Sequence, residues 1–437
     1  MEVIELDVEE KPQADFNFFV GAETGLLKGI SINPKMNLAK NFSNMHSLER
    51  KHEITAMSWG NGEAQNEILL GLRGQIVRTF DPEDKVFTSS RDLTNASGKI
   101  VGIGRINESC LVTASECGVV QVWRDPQETF NVIDYEIACS GKMKTGDFKD
   151  EEAKAKHLVS LKAERSLAKM RQVPKCPGMI ATGGKENDVQ IWDLENTDKG
   201  PVFRGKNVPS DKLELRVPIW ITDLCFPDQC SRDKLVTVTR YGHVRLYDTK
   251  GQQRRPVLNM DWPDQVLTAV SSTCYEHEIV IGTATGQIAS FDIRMSHKGL
   301  HKKFRGCTGA IRSLDAHSSH NCFAAVGLDR FLRIYDLNKP KPIQKMYLKS
   351  KLNQVLMAKD FNPSEAIVMP EPGPVIKKRA SKKTERSHDG VLEGVAKHED
   401  GDEFWAKLPV LQPLSKKKGK RSANPPTKEG KTKKSKK

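Results

Sequence analysis

One short pattern recurs seven times along the 437 residues: a small or apolar strand, a glycine-bearing turn, then a strand that closes on an aromatic residue near an aspartate. It reads FFVGAETGLLKGISI from Phe18 to Ile32, ILLGLRGQIVRTFD to Asp81, LVTASECGVVQVWRD to Asp125 and MIATGGKENDVQIWD to Asp193. It returns as LVTVTRYGHVRLYD to Asp248, IVIGTATGQIASFD to Asp292 and FAAVGLDRFLRIYD to Asp336. Six units close on Phe, Tyr or Trp near Asp, and the first is degenerate. No unit this short can bury both faces of its own sheet, so its neighbours must cover them.

A repeat of this kind predicts an all-β fold, a seven-bladed WD-repeat β-propeller. Each unit then needs an inner strand before it. ITAMSW (54–59), KIVGIGRI (99–106), LAKMRQ (167–172), IWITDLCF (219–226), VLTAVSS (266–272) and AIRSLDAH (310–317) fill that place. Nothing suitable precedes the first unit, because residues 1–17 form an acidic lead. LNQVLMAK (352–359) is left over after the seventh, so the expectation is that it returns to blade one and closes the ring. The closing aromatics Phe80, Trp123, Trp192, Tyr247, Phe291 and Tyr335 are spaced 43, 69, 55, 44 and 44 residues apart. The long second step places an insertion at 140–166, whose Lys, Glu and Ala favour a helix or a mobile loop.

The propeller is expected over 18–360, and a disordered tail over 361–437. Residues 376–437 hold 19 Lys/Arg against 8 Asp/Glu, a net +11 of the chain's +13, which leaves the body near +2. Basic clusters occur at 416–421 (Lys416, Lys417, Lys418, Lys420, Arg421) and 431–437 (including Lys433, Lys434, Lys436, Lys437). Such clusters serve nuclear import and phosphate contacts. Between 400 and 408 the tail also carries Phe404–Trp405 among acids, a pattern suited to a short motif that folds onto a partner. The nine cysteines form no CxxC pair, which points to reduced thiols inside a cell. MEVIELDVEE does not read as a secretory leader, and no apolar run reaches the length of a membrane span.

Catalytic patterns are missing. Gly183-Gly184-Lys185 lacks phosphate-loop spacing and is followed by Glu186; no HExxH, G-x-S-x-G or metal-ligand spacing occurs. Asp81, Asp193, Asp248, Asp292 and Asp336 recur with the blade and read as strand-end architecture. No enzyme, cofactor, metal, membrane or small-molecule substrate is therefore expected, and the search turns to surfaces. Turns between the second and third strands of each blade share one rim with the inter-blade links. They supply Arg73, Lys185, Glu186, Asn187, Arg240, Tyr241, Asp329 and Arg330, and the links add Lys206, Asn207, Arg216 and Lys349. Cations with Tyr and Asn on one rim suit a phosphate-rich or acidic partner.

The stretches VGAETGLLKG, ATGGKENDVQIWDLE, PVFRGKNVP, LRVPIW, RRPVL, GLDRFLRIYD and YLKSKLNQ strongly resemble the WD repeat-containing protein 74 family, whose fungal counterparts are the Nop-seven-associated nucleolar proteins. The resemblance runs from about Phe18 to Leu356. It implies a non-enzymatic assembly factor of the large ribosomal subunit, in the nucleolus and nucleoplasm, on particles that contain ribosomal RNA and other assembly factors. It also implies release by a nuclear valosin-containing-protein-like ATPase of the AAA type and a link to the exosome's RNA helicase during spacer-RNA processing. By matched segments it points to Lys185, Glu186, Asn187, Lys206, Asn207, Arg216, Trp220, Arg330 and Lys349. The sequence departs from the family at Trp123-Arg124-Asp125 and in the length of 140–166. An alternative from another class is a substrate receptor for a cullin ubiquitin ligase, hooked on Phe291-Asp292-Ile293-Arg294.

Overall fold

The second strand of each repeat is a near-continuous run of apolar and small residues buried on both faces, and arranging the sheets as blades covers both faces of each. The computed structural model describes residues 16–363 except 34–36, 44–46, 48, 61–63, 94–96, 108–109, 125–157, 161–165, 197–198, 211–212, 228–232 and 296–299. The acidic lead up to residue 15, most of 140–166, the aromatic motif Phe404–Trp405 and both basic clusters lie outside the described residues. Seven four-stranded antiparallel sheets form a β-propeller, as the repeat predicts. From blade one to blade seven, the inner strands are Leu352–Met357, Ile54–Trp59, Ile100–Asn107, Leu167–Val173, Ile221–Cys225, Leu267–Ser272 and Ile311–Ala316.

Blade one is assembled from both ends of the described chain. Leu352–Met357 pairs antiparallel with Phe18–Ala22, Phe18 opposite Met357 and Val20 opposite Val355. The contact is continued by Phe361, which is buried and meets Phe18 edge to face at 4.7 Å. Phe361 thus belongs to the propeller core and not to the tail that composition begins at 361. Residues 140–166 are corrected in the same way: Leu158–Ser160 is a strand, pairing with Val119–Arg124 as the outer strand of blade three. Sheet pairing overrides the helix-favouring composition there.

Side chains tie each inner strand to the next. Thr55, Thr222 and Thr268 occupy one register position, and their hydroxyls donate to the carbonyls of Ile100 (2.7 Å), Leu267 (2.9 Å) and Ile311 (2.7 Å) in the following blade. Elsewhere Gln172 Nε2 donates to Arg105 O at 2.7 Å, Ala316 N donates to Ser271 Oγ at 3.1 Å, and Met357 N donates to Asp315 Oδ2 at 2.7 Å. Asn353 and Gln354 reach Ile54 O and Thr55 O and complete the circuit.

The repeat glycines have a packing role. A methyl group on Gly21, Gly71, Gly183 or Gly282 would lie 2.7–2.9 Å from Ile54, Ile100, Ile221 or Ile311 of the next blade. These four sit inside second strands, so the inter-blade isoleucine, rather than a turn, requires a residue without a side chain. Asp81, Asp193, Asp248, Asp292 and Asp336 each accept the backbone N–H two residues on, at 2.8–3.0 Å. That bond sets the turn leaving the third strand, a role filled by Asx side chains.

Asp315, on the inner strand of blade seven, accepts from Met357 N of blade one, and burial pushes its carboxyl up to about 6. A folded-state value above the ordinary 3.8 means stability is fully present below about pH 3.8 and lost as pH rises through about 6. Asp315→Asn keeps an acceptor for Met357 N–H and removes that loss. Urea unfolding should show the variant more stable by on the order of 2 kcal/mol at about pH 7.5, with the gap closing near pH 4.

Candidate interaction surface

Backbone geometry explains why turns and links converge on one rim. In six blades the residue at the head of the second-to-third-strand turn donates its N–H to the link that precedes its own inner strand, and in blade four it donates to the link that precedes the inner strand of blade five. The six are Glu23 to Lys351 O, Arg73 to Glu53 O, Glu116 to Lys99 O, Arg240 to Trp220 O, Ala284 to Val266 O and Leu328 to Ala310 O, at 2.8–3.0 Å; in blade four Glu186 donates to Ile219 O at 2.9 Å. Blades four and five are joined further by a bridge between Lys185 and Trp220, so the turn of blade four lies directly against the start of blade five.

Trp220 is the centre of this junction. Lys185 Nζ lies 4.9 Å and Arg240 Cζ 4.6 Å from the centroid of its ring. Contacts of this kind stabilise by about 0.5–1 kcal/mol each when exposed, enough to orient the cations without neutralising them. Beside them Arg216 Nη2 approaches Glu186 Oε2 at 3.4 Å, which brings the long link 205–220 down onto the turn of blade four. That link exposes Leu213 (75 %) and Leu215 (63 %), and Tyr241 of blade five is 45 % exposed. The structure therefore places Lys185, Glu186, Arg216, Trp220, Arg240 and Tyr241 in one neighbourhood of aromatic, cationic and apolar surface.

Other residues singled out by sequence have different positions. Asn187 is buried at 2 % in the third strand of blade four and offers no side chain to a partner. Asn207 works inside the link: Nδ2 donates to Val217 O at 2.6 Å, and Oδ1 accepts from Val208 N at 2.9 Å and from the buried Arg245 Nη1 at 3.0 Å. It shapes the surface and is not itself part of it. Asp329 accepts from the guanidinium of buried Arg333 and is likewise internal. Lys206 is exposed, with its N–H held by Arg254 O at 2.8 Å. Arg73 belongs to blade two and is paired with Glu53 at 3.1 Å. Arg330 and Lys349 are exposed at the junction of blades seven and one, with positive φ of 68° and 65°.

Sequence reasoning missed the exposed leucines of the link and the polar channel. A cavity of about 770 Å³ opens beside Met57, Trp59, Lys169, Arg171 and Lys175. Arg171 Nη2 meets Asp223 Oδ2 at 3.3 Å there, while burial pushes Lys169 down to about 8. Among the described residues no group of three or more His, Cys, Asp or Glu could hold a metal ion, and no helix is long and apolar enough to cross a membrane. Burial pushes the Cys225 thiol far up and that of Cys322 up to about 12, so both behave as packing groups. Arg294, the hook of the ligase alternative, is forked onto Asp292 through bonds of 3.1 and 2.7 Å, and this pair holds the Asp292 carboxyl down at about 2.

A family model described as "WD40: WD domain, G-beta repeat" matches residues 298–336. Human WD repeat-containing protein 74 is 35 % identical over 341 residues, 78 % of this chain and 80 % of the human one. The mouse protein of that name is 36 % identical over the same shares. Ribosome biogenesis protein nsa1 of Schizosaccharomyces pombe is 34 % identical over 229 residues, 46 % of this chain and 57 % of the yeast protein. A propeller of seven blades and a relation of this depth across most of both chains lead to one conclusion: the chain belongs to the WD repeat-containing protein 74 family.

Proposed function

We propose that the chain is a ribosome-biogenesis factor, a non-enzymatic scaffold that docks on precursors of the large ribosomal subunit and takes part in pre-ribosomal RNA processing. The name of the fission-yeast relative supports the process. The observation that carries the mode of action is the Trp220 cluster: an aromatic ring flanked by two cations on a rim fixed by backbone bonds. Aromatic and arginine anchors of this kind dominate binding energy at interfaces, and a rigid rim loses little entropy on docking.

In this reading the protein acts in the nucleolus and nucleoplasm as a monomer within a larger particle. The propeller spans 18–361, with Phe361 as its last core residue, and the basic clusters of the tail that follows serve import and non-specific RNA affinity. Phe404–Trp405 presents itself to a partner protein. The AAA-type ATPase and the exosome helicase are the partners expected to release the protein and to link it to spacer processing. Depletion tests the function: precursors of the large-subunit RNAs should accumulate while small-subunit RNA matures normally. Equal loss of both subunits, or no change in precursors, contradicts it.

A further inference from the structure

Away from Trp220, the outer edge of blade seven carries a second surface that the fold does not require. Residues 337–351 contain Lys339, Lys341, Lys345, Lys349 and Lys351 and no acidic residue. Lys339 is paired with Asp336 at 3.4 Å and Lys351 with Glu23 at 3.1 Å. Among the described residues Lys341, Lys345 and Lys349 enter no ion pair. Phe331 and Tyr347 are direct cross-strand partners, as are Arg333 and Lys345, so all four share one face of the sheet. Lys345 Nζ lies 4.1 Å from the Phe331 centroid, and the Phe331 and Tyr347 rings are 5.1 Å apart. Tyr347 remains 52 % exposed.

Edge lysines by themselves keep strands from pairing with other chains. That role calls for no exposed tyrosine at the end of the row and no second ring braced by a lysine beside it. Lysines four residues apart along an extended segment, about 13 Å per step, track a phosphate backbone, and an adjacent aromatic face receives a base. An acidic protein would satisfy the lysines and leave the rings unused. We infer that the outer edge of blade seven, Lys341, Lys345, Lys349 and Arg330 with Tyr347 and Phe331, binds single-stranded RNA, phosphates on the cations and a base stacked on Tyr347. This edge adds an RNA-facing surface to the Trp220 cluster, and only the source of the RNA rests on the function proposed above.

The test uses the full purified chain and a thiouridine-substituted oligouridylate as probe. Ultraviolet cross-links should map to the peptide bearing Tyr347 or Phe331 in addition to any in the basic tail, and Tyr347→Ala should remove the former alone. Replacing Lys341, Lys345 and Lys349 together by Gln should lower the slope of log K against log salt by about 2, at about 0.7 per phosphate on a single strand. These side chains project from the surface, so the melting temperature should hold; the cross-link map of the unmodified chain stands as evidence even if it does not. Cross-links confined to 376–437 with an unchanged slope overturn the inference. An unchanged slope together with loss of a protein partner assigns the edge to protein binding and overturns it equally. Either failure leaves the depletion result intact, which separates this inference from the function itself.

Discussion

A chain ended at Lys351 should lose its cooperative thermal transition altogether. The deleted segment supplies the inner strand of blade one, and Leu352, Val355, Met357 and Phe361 are all buried in one cluster with Phe18 and Ile334. Burying each such side chain stabilises by about 1.5–3 kcal/mol, so the four together account for on the order of 6–12 kcal/mol. A domain's whole stability is about 5–15 kcal/mol. The loss also opens Phe18–Ala22 as an unpaired edge facing the channel and breaks the bonds of Asn353 and Gln354 to blade two. Leu352→Ala offers a graded version, costing about 3 kcal/mol while the transition stays cooperative. Calorimetry distinguishes the cases. A truncated chain that melts like the parent would mean that the ring does not depend on this closure.

Trp220→Ala should weaken association with large-subunit precursors by about 30-fold, the loss of about 2 kcal/mol that marks an anchor residue. The ring does more than offer its own surface, since it holds Lys185 and Arg240 in place and its backbone accepts the Arg240 N–H. Lys185→Glu with Arg240→Glu should be at least as damaging, because two reversed charges would face an acidic or phosphate-rich partner. Neither change touches the blade cores, so unfolding should move by less than about 1 kcal/mol. Tyr241→Ala, at the margin of the cluster, should have a smaller effect.

Blade architecture was legible because the repeat writes its own chemistry. The aromatic residues Phe80, Trp192, Tyr247 and Tyr335 are buried at the places the repeat implies, and the recurring aspartates form the turns that follow. The turn glycines Gly25, Gly118, Gly242 and Gly286 sit in turns with positive φ as the repeat implies, whereas the need for Gly21, Gly71 and Gly282 inside strands is not legible in sequence, which does not display the isoleucine of the next blade that takes their space. The strand Leu158–Ser160 was hidden in a charged segment, since pairing with Val119–Arg124 decided its conformation and local propensity did not.

For the surface, residue type and turn position were enough to select Lys185, Arg216 and Arg240, yet they could not tell exposed groups from internal ones. Asn187 and Asn207 sit in equally polar stretches. One is buried by the register of its strand, and the other is drawn inward by Arg245, a residue 38 positions away. Arg73 looks as free as Arg330 in sequence, but only Arg73 has a glutamate placed beside it by the preceding link. Distances through space carry that information. The lysine row of blade seven was visible in the chain all along, and it acquired meaning only when the register put Phe331 against Tyr347.

In the function proposed here the propeller rim, and not the basic tail, recognises the particle. The most direct test is affinity purification of three tagged proteins, the parent, a chain ending at Glu371 fused to an unrelated nuclear import signal, and Trp220→Ala. RNA and proteins that co-purify are then identified. Large-subunit precursor RNA and assembly factors are expected with the first two and should be lost with the third. Precursors retained by Trp220→Ala but lost with the shortened chain would contradict it and move recognition to the tail.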